Sequence, residues 1–127
     1  MPKRVFISFH MDDLYAKTLL VSQAKSDRFQ LEFTDYSLSE PFDEKWKTQC
    51  RERIKQTSVT ICLVGEKTSL REAVNWELNT SYDLGHKVLG IRIHRDRYHN
   101  VPLPILRNGS KILYWNINDI VRELEQD

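Results

Sequence analysis

Short apolar runs and amphipathic stretches alternate along the chain. Residues 5–9, Val5-Phe6-Ile7-Ser8-Phe9, form a brief apolar run of strand type. Leu14, Leu19, Val21 and Ala24 then mark a helix, with Asp12 and Asp13 in its first turn, where acidic groups suit the positive end of the helix dipole. Phe29, Leu31 and Phe33 alternate with polar neighbours and predict a second strand. Residues 35–41 are polar, close on Pro41 and predict a loop. Phe42, Trp46, Cys50 and Ile54 recur every four residues and predict the next helix. Residues 59–64 are almost continuously apolar, the pattern of a strand buried on both faces. Ser69 and Glu72 fit a capping box opening a third helix that runs to about residue 84, with Gly85 placed to end it. A fourth strand follows at 88–93. Residues 94–110 form a long polar loop with Pro102, Pro104 and room for a short helical turn. A fifth strand (112–115) and an amphipathic helix (117–124) complete the chain.

Strands that alternate with helices imply a parallel sheet covered on both faces. Right-handed crossovers leave few topologies. The expected architecture is one α/β domain over residues 1–127: a flavodoxin-like, doubly wound, five-stranded parallel sheet in the order 2-1-3-4-5. Its switch point falls between the first and third strands, at their carboxyl ends, where open α/β sheets bind ligands. Three segments gather there: residues 8–12, residues 35–41, and the turn and helix after the third strand.

Composition narrows the function classes. The chain has 127 residues, with 19 Lys and Arg against 18 Asp and Glu, so net charge gives no reason to expect a nucleic-acid or membrane partner. No apolar run is long enough for a membrane span, and no signal peptide is evident, so a cytoplasmic location is expected. The two cysteines, Cys50 and Cys62, are expected to be reduced and buried. The glycines are scattered, with neither G-x-G-x-x-G nor a P-loop. The third strand ends in Val64-Gly65-Glu66-Lys67, without the phosphorylatable Asp of a receiver domain, and no G-x-S-x-G elbow occurs. His94 and His99 share a loop, but no companion ligands stand at zinc spacing, so no metal is expected.

One residue is out of place. At about 100° per residue, Leu70, Ala73, Val74, Ser81 and Leu84 share the face of the third helix that should pack on the sheet. Glu77 lies in the middle of that face. A carboxylate there is costly unless it is paired, protonated or lining a cavity. Two readings stand. Either Glu77 reaches an Arg, a backbone N–H or water at the sheet edge, or it borders a ligand cleft, as functional acids often do. Ser8 and His10 are candidates to hydrogen-bond a ligand there. Phe9 is either a ring-stacking group or core. Asp35 and Ser37 either contact ligand or only shape their turn. Trp46 lies on an apolar stripe and is expected in the core; Trp76 points off its stripe, toward a partner or under a loop.

These segments resemble a known family. Residues 4–9 (Arg4-Val5-Phe6-Ile7-Ser8-Phe9) look like the opening box of TIR and TIR-like domains. Residues 33–37 and 58–65, then Val74-Asn75-Trp76-Glu77-Leu78 with Gly85 and residues 88–91, are similar to bacterial TIR-like proteins of the Thoeris antiphage system. The likeness extends to about residue 93. It implies a TIR-type fold and an enzyme that senses infection and converts NAD, its substrate rather than a cofactor, into a cyclic ADP-ribose isomer or a related signal. A partner effector would read that signal. A phage-derived trigger and self-association are the other partners it implies. The family's catalytic glutamate carries over to Glu77. The position of the TIR BB loop falls on residues 35–41, which lack the usual glycine-rich or Arg-Asp-rich character.

The expectation is therefore an NAD-consuming signalling enzyme in which Glu77 stabilises the ribosyl transition state and Ser8, Phe9, His10, Asp35 and Ser37 line the cleft. Its rivals are a non-catalytic TIR-like scaffold and a sensor that binds a nucleotide without turnover.

Overall fold

The computed structural model describes residues 3–26, 30–36 and 42–126. Five strands, β1 (Lys3–Ser8), β2 (Leu31–Thr34), β3 (Val59–Val64), β4 (Lys87–Arg92) and β5 (Ile112–Tyr114), form one sheet in the order β2-β1-β3-β4-β5. Every neighbouring pair is parallel. The predicted topology therefore holds, and β3 is central and buried at all six positions.

Alternation along the strands divides the core into two layers. Val5, Ile7, Ile61, Leu63, Leu89 and Ile91 face Ala16 and Leu20 of α1 (Leu14–Ser26) and Ile120 and Leu124 of α5 (Ile117–Glu125). On the other face, Phe6 packs with Trp46, Cys50 and Ile54 of α2 (Glu44–Lys55) and Ala73 of α3 (Glu72–Asp83). Cys62, Val64 and Val88 join Val74 and Leu78 of α3 and Ile105 of α4 (Leu103–Asn108) on that face. The helical turn expected within 94–110 is α4, which Pro102 opens and Gly109 closes at φ +63°.

Local chemistry explains most helix ends. The Asp43 carboxylate accepts from the Trp46 amide at 2.9 Å to cap α2, and Asn116 caps α5 through the Asp119 amide at 3.1 Å. Gly85 at φ +78° ends α3 as expected, a conformation glycine adopts without steric cost.

Two expectations fail at the start of α3. The Ser69–Glu72 capping box does not form: a 3-10 turn occupies Thr68–Leu70, and α3 begins at Glu72 behind an Arg71 N-cap with no side-chain cap. The Thr68 hydroxyl accepts from the Gly65 amide at 2.8 Å and donates to the Leu63 carbonyl at 3.2 Å. This tight turn keeps Ser69 outside the helix. Leu70, expected on the buried stripe, is consequently 83% exposed. A second, smaller difference lies after β1. The chain passes through a 3-10 turn (Met11–Asp13) before α1, and the Asp12 amide donates to His10 Nδ1 at 3.0 Å.

Candidate active site

The site is built where β1 ends against α2 and α3. Phe6 and Ser8 point to the same face of β1, one at the core and the next at its rim. Glu77 meets Ser8 from α3. The Ser8 hydroxyl donates to Glu77 Oε1 at 2.7 Å, and the Cys50 thiol donates to Oε2 at 3.6 Å from α2. Each carboxyl oxygen thus has one neutral donor. Among the described residues no cation forms an ion pair with Glu77, which excludes the salt-bridged arrangement within that set.

Glu77 is 4% exposed. Burial drives its pKa from 4.5 up to about 8; the Ser8 and Cys50 hydrogen bonds pull it back, nearby Asp35 pushes it up, and Arg71 draws it down. At neutral pH most of the population is therefore protonated in the free protein. Burial also raises the thiols of Cys50 and Cys62 well above the usual range, followed by repulsion from Glu77. Both stay protonated, so Cys50 meets the carboxyl group as a neutral thiol rather than as a thiolate.

Asp35 follows β2 and approaches the site from the other side. Its carboxylate pairs with Lys17 Nζ at 3.3 Å, and its carbonyl accepts from Arg53 Nη1 at 3.1 Å. An aromatic wall adjoins it. Trp46 sits 5.6 Å from Tyr36, 4.9 Å from Phe42 and 5.5 Å from Trp76, ring centre to ring centre. Trp46 is fully buried, as the stripe predicted, and the half-buried Trp76 is covered by Phe42 and Trp46.

The structure brings Ser8 and Glu77 into direct contact and sets Asp35 close enough to act on Glu77 electrostatically. Phe9 turns away: it is 8% exposed and packs in the layer beneath α1 and α5, on the opposite face from Ser8. His10 is half-buried and engaged by its own turn through Nδ1. Ser37, with the rest of residues 37–41, lies outside the described residues.

Three participants escaped the sequence reading. Cys50 was visible only as a core position at helical spacing; its partner depends on how α2 leans on α3. Arg71 and Lys17 carried no sequence signal, being ordinary charged residues until the fold sets them beside Glu77 and Asp35. A further buried acid, Asp13, looked like a first-turn helix residue. Its carboxyl group is 7% exposed, lies 3.5 Å from the Thr68 hydroxyl, and has its pKa raised by burial. His94 and His99 do meet, Nδ1 to Nε2 at 3.0 Å, but no group of three or more metal ligands forms among the described residues.

The chain is similar to known proteins in sequence and in fold. Residues 6–98 match the family model described as "Thoeris protein ThsB, TIR-like domain". A Bacillus cereus (strain MSX-D12) protein named "Putative cyclic ADP-D-ribose synthase ThsB1" is 32% identical over 111 residues, 80% of this chain. The chain spans 58% of that relative's length. Among solved structures, a conserved protein of Enterococcus faecalis V583 superposes with a TM-score of 0.70 at 14% identity, covering 99% of each chain. The TIR domain of the Toll-related receptor TRR-2 from Hydra magnipapillata superposes with a TM-score of 0.66 at 16% identity, covering 96% of this chain and 98% of that one. At such identities these two structures speak to the fold alone. No helix among the described residues is long and apolar enough to cross a membrane.

Proposed function

The chain belongs to the ThsB TIR-like family of Thoeris proteins, and on that footing we propose that it is a signalling enzyme that cleaves the nicotinamide–ribose bond of NAD. The observation that carries this reading is a buried carboxyl group on the sheet-facing side of α3, held by two neutral donors and free of any ion pair among the described residues. The name of the Bacillus cereus relative supports a cyclic ADP-ribose product over simple hydrolysis.

The chemistry suits one well-placed acid. As the C1′–N bond breaks, nicotinamide leaves with the bonding pair as a neutral ring, so it needs no general acid. Positive charge develops on the ribosyl carbon and ring oxygen, as in glycoside cleavage. Ionised Glu77 would stabilise that charge and accept hydrogen bonds from the ribose hydroxyls, with Ser8 orienting the carboxylate. A nucleophile elsewhere in the same molecule then attacks C1′ and loses its proton, which closes the ring. Low exposure at Glu77 favours closure over attack by water. The substrate's pyridinium cation would itself lower the Glu77 pKa on binding, so the acid ionises when it is needed. The product would act as a messenger read by a separate effector.

Chromatography of nicotinamide release from NAD, with mass spectrometry of the remaining nucleotide, tests the reading. The expected product has the mass of ADP-ribose less one water. Complete absence of nicotinamide release, even in infected cells expressing the protein, would return it to the scaffold class.

A further inference from the structure

Several cations lie against the residues that flank the site, and most of them are engaged. Lys17 pairs with Asp35, Arg53 holds the Asp35 carbonyl and covers the Tyr36 ring, and Arg51 lies 5.6 Å over the Trp76 ring. Arg71 differs. It is half-buried, its Nε is sealed from solvent without a hydrogen-bond partner, and no carboxylate among the described residues pairs with it. Yet it is near enough to Glu77 to act on it electrostatically.

Its position sharpens the anomaly. Arg71 is the N-cap of α3 and supplies no side-chain cap. The positive end of a helix favours anions, so a guanidinium there adds like charge to like. Asn75 Nδ2 donates to the Arg71 and Ser69 carbonyls, both at 3.1 Å, and pins the backbone from which the side chain projects. A sequestered donor of this kind calls for a partner that the described residues do not supply.

We propose that Arg71 is an anion-binding residue that holds the diphosphate of a dinucleotide whose ribosyl carbon lies against Glu77. The proposal rests on the reading of NAD as substrate and adds the group that recognises its charge. Glu77 and Asp35 suit ribose and developing positive charge but repel a diphosphate, so a cation must stand apart from them. Glu77 lies six residue steps beyond the N-cap Arg71, about 9 Å along the axis, a span comparable to that from an anomeric carbon to its 5′-diphosphate. The guanidinium fork can donate to two phosphate oxygens at once, which an ammonium cannot reproduce.

Calorimetric titration of the intact protein with ADP-ribose and with inorganic pyrophosphate tests this without requiring turnover. Arg71→Gln is expected to weaken both ligands at least tenfold, and Arg71→Lys to recover part of the loss. The unliganded Arg71→Gln protein is expected to melt no lower than the wild type, because the guanidinium makes no hydrogen bond among the described residues. Unchanged affinity in Arg71→Gln, or failure of the wild type to bind either ligand, overturns the assignment. If both ligands depend on Arg71 but nicotinamide is never released, the anion site stands and the NAD-cleavage reading fails. If nicotinamide is released with the same KM by wild type and Arg71→Gln, the reading stands and the anion site is overturned.

Discussion

Glu77 is held by neutral groups, and that single fact sets its behaviour. A carboxylate at 4% exposure with a salt-bridge partner would have a depressed pKa; with Ser8 and Cys50 instead, burial wins and the value rises to about 8. Glu77→Gln keeps the shape and removes the charge. Under the proposed mechanism nicotinamide release is expected to fall by at least 100-fold, read by chromatography. Stability is expected to change in the opposite sense. The folded carboxyl binds its proton up to about pH 8, the unfolded one only to about 4.5. The folded state therefore holds more protons in that window, and its stability falls as pH rises through it. The contribution is fully present below 4.5, is lost above 8, and is on the order of 3–5 kcal/mol. Melting curves of wild type and Glu77→Gln are expected to run together at acidic pH and separate toward pH 9, with the Gln protein more stable. A Gln variant that is destabilised at every pH yet still active would show Glu77 to be structural. Activity provides a separate pH signature. In wild type, kcat/KM is expected to rise with pH along a limb centred near the free-enzyme value of about 8. A flat profile from pH 6 to 9 would contradict a role for the ionised form.

Among the elements, the turn from β3 to α3 carries the sharpest packing constraint. A Cβ on Gly65 would lie 2.3 Å from Asp13 Oδ2, far inside contact distance. Asp13 is nearly buried, so its carboxyl group cannot swing freely away. Gly65→Ala is expected to cost about 1–3 kcal/mol by overpacking, measured by denaturant unfolding. Adding Asp13→Ala removes the clashing atoms and is expected to recover much of that loss. A double variant less stable than Gly65→Ala alone would show that the contact is not the cause. The same turn displaced the predicted capping box. Thr68 closes the turn on the Gly65 amide, Ser69 falls within the 3-10 turn, and α3 is left to start at an uncapped Arg71. Capping that helix artificially is informative. Arg71→Asp is expected to stabilise the protein by about 1 kcal/mol while abolishing the anion binding proposed above, a trade of stability against ligand recognition within one residue.

At the scale of the whole molecule, the two core layers share β3, so either layer's loss exposes the other. A single cooperative thermal transition is expected. Under the proposed function, the site also predicts a quiet resting state. Glu77 is bounded by β1, α2 and α3 and is mostly neutral at physiological pH, so the unprompted site lacks the charge that the proposed mechanism needs. Dilute purified protein is expected to release nicotinamide slowly, as the proposed function requires of an enzyme that would otherwise deplete its host's NAD. Fast turnover by dilute monomer under ordinary conditions would contradict this view.

Patterning along the chain pointed to the strand order through strand–helix alternation and right-handed crossovers, to the central place of β3 through an unbroken apolar run, and to the anomaly at Glu77 through a period of 3.6. Gly85 marked its helix end for an equally local reason: its conformation needs no distant partner. Phe9 shows where such reasoning stops. Alternation assigns it to the face opposite Ser8, but the chain could not say which face would carry the site until α3 had been set against β1. The capping box failed for a related reason, since Thr68 bonds to Leu63 and Gly65 in a turn that packs against the distant Asp13. Cys50, Lys17 and Asp13 acquire their chemistry only through contacts made far along the chain. Side-chain periodicity is written locally in the sequence; hydrogen-bond partners, desolvation and the electrostatic surroundings of a buried acid exist only once the layers have packed.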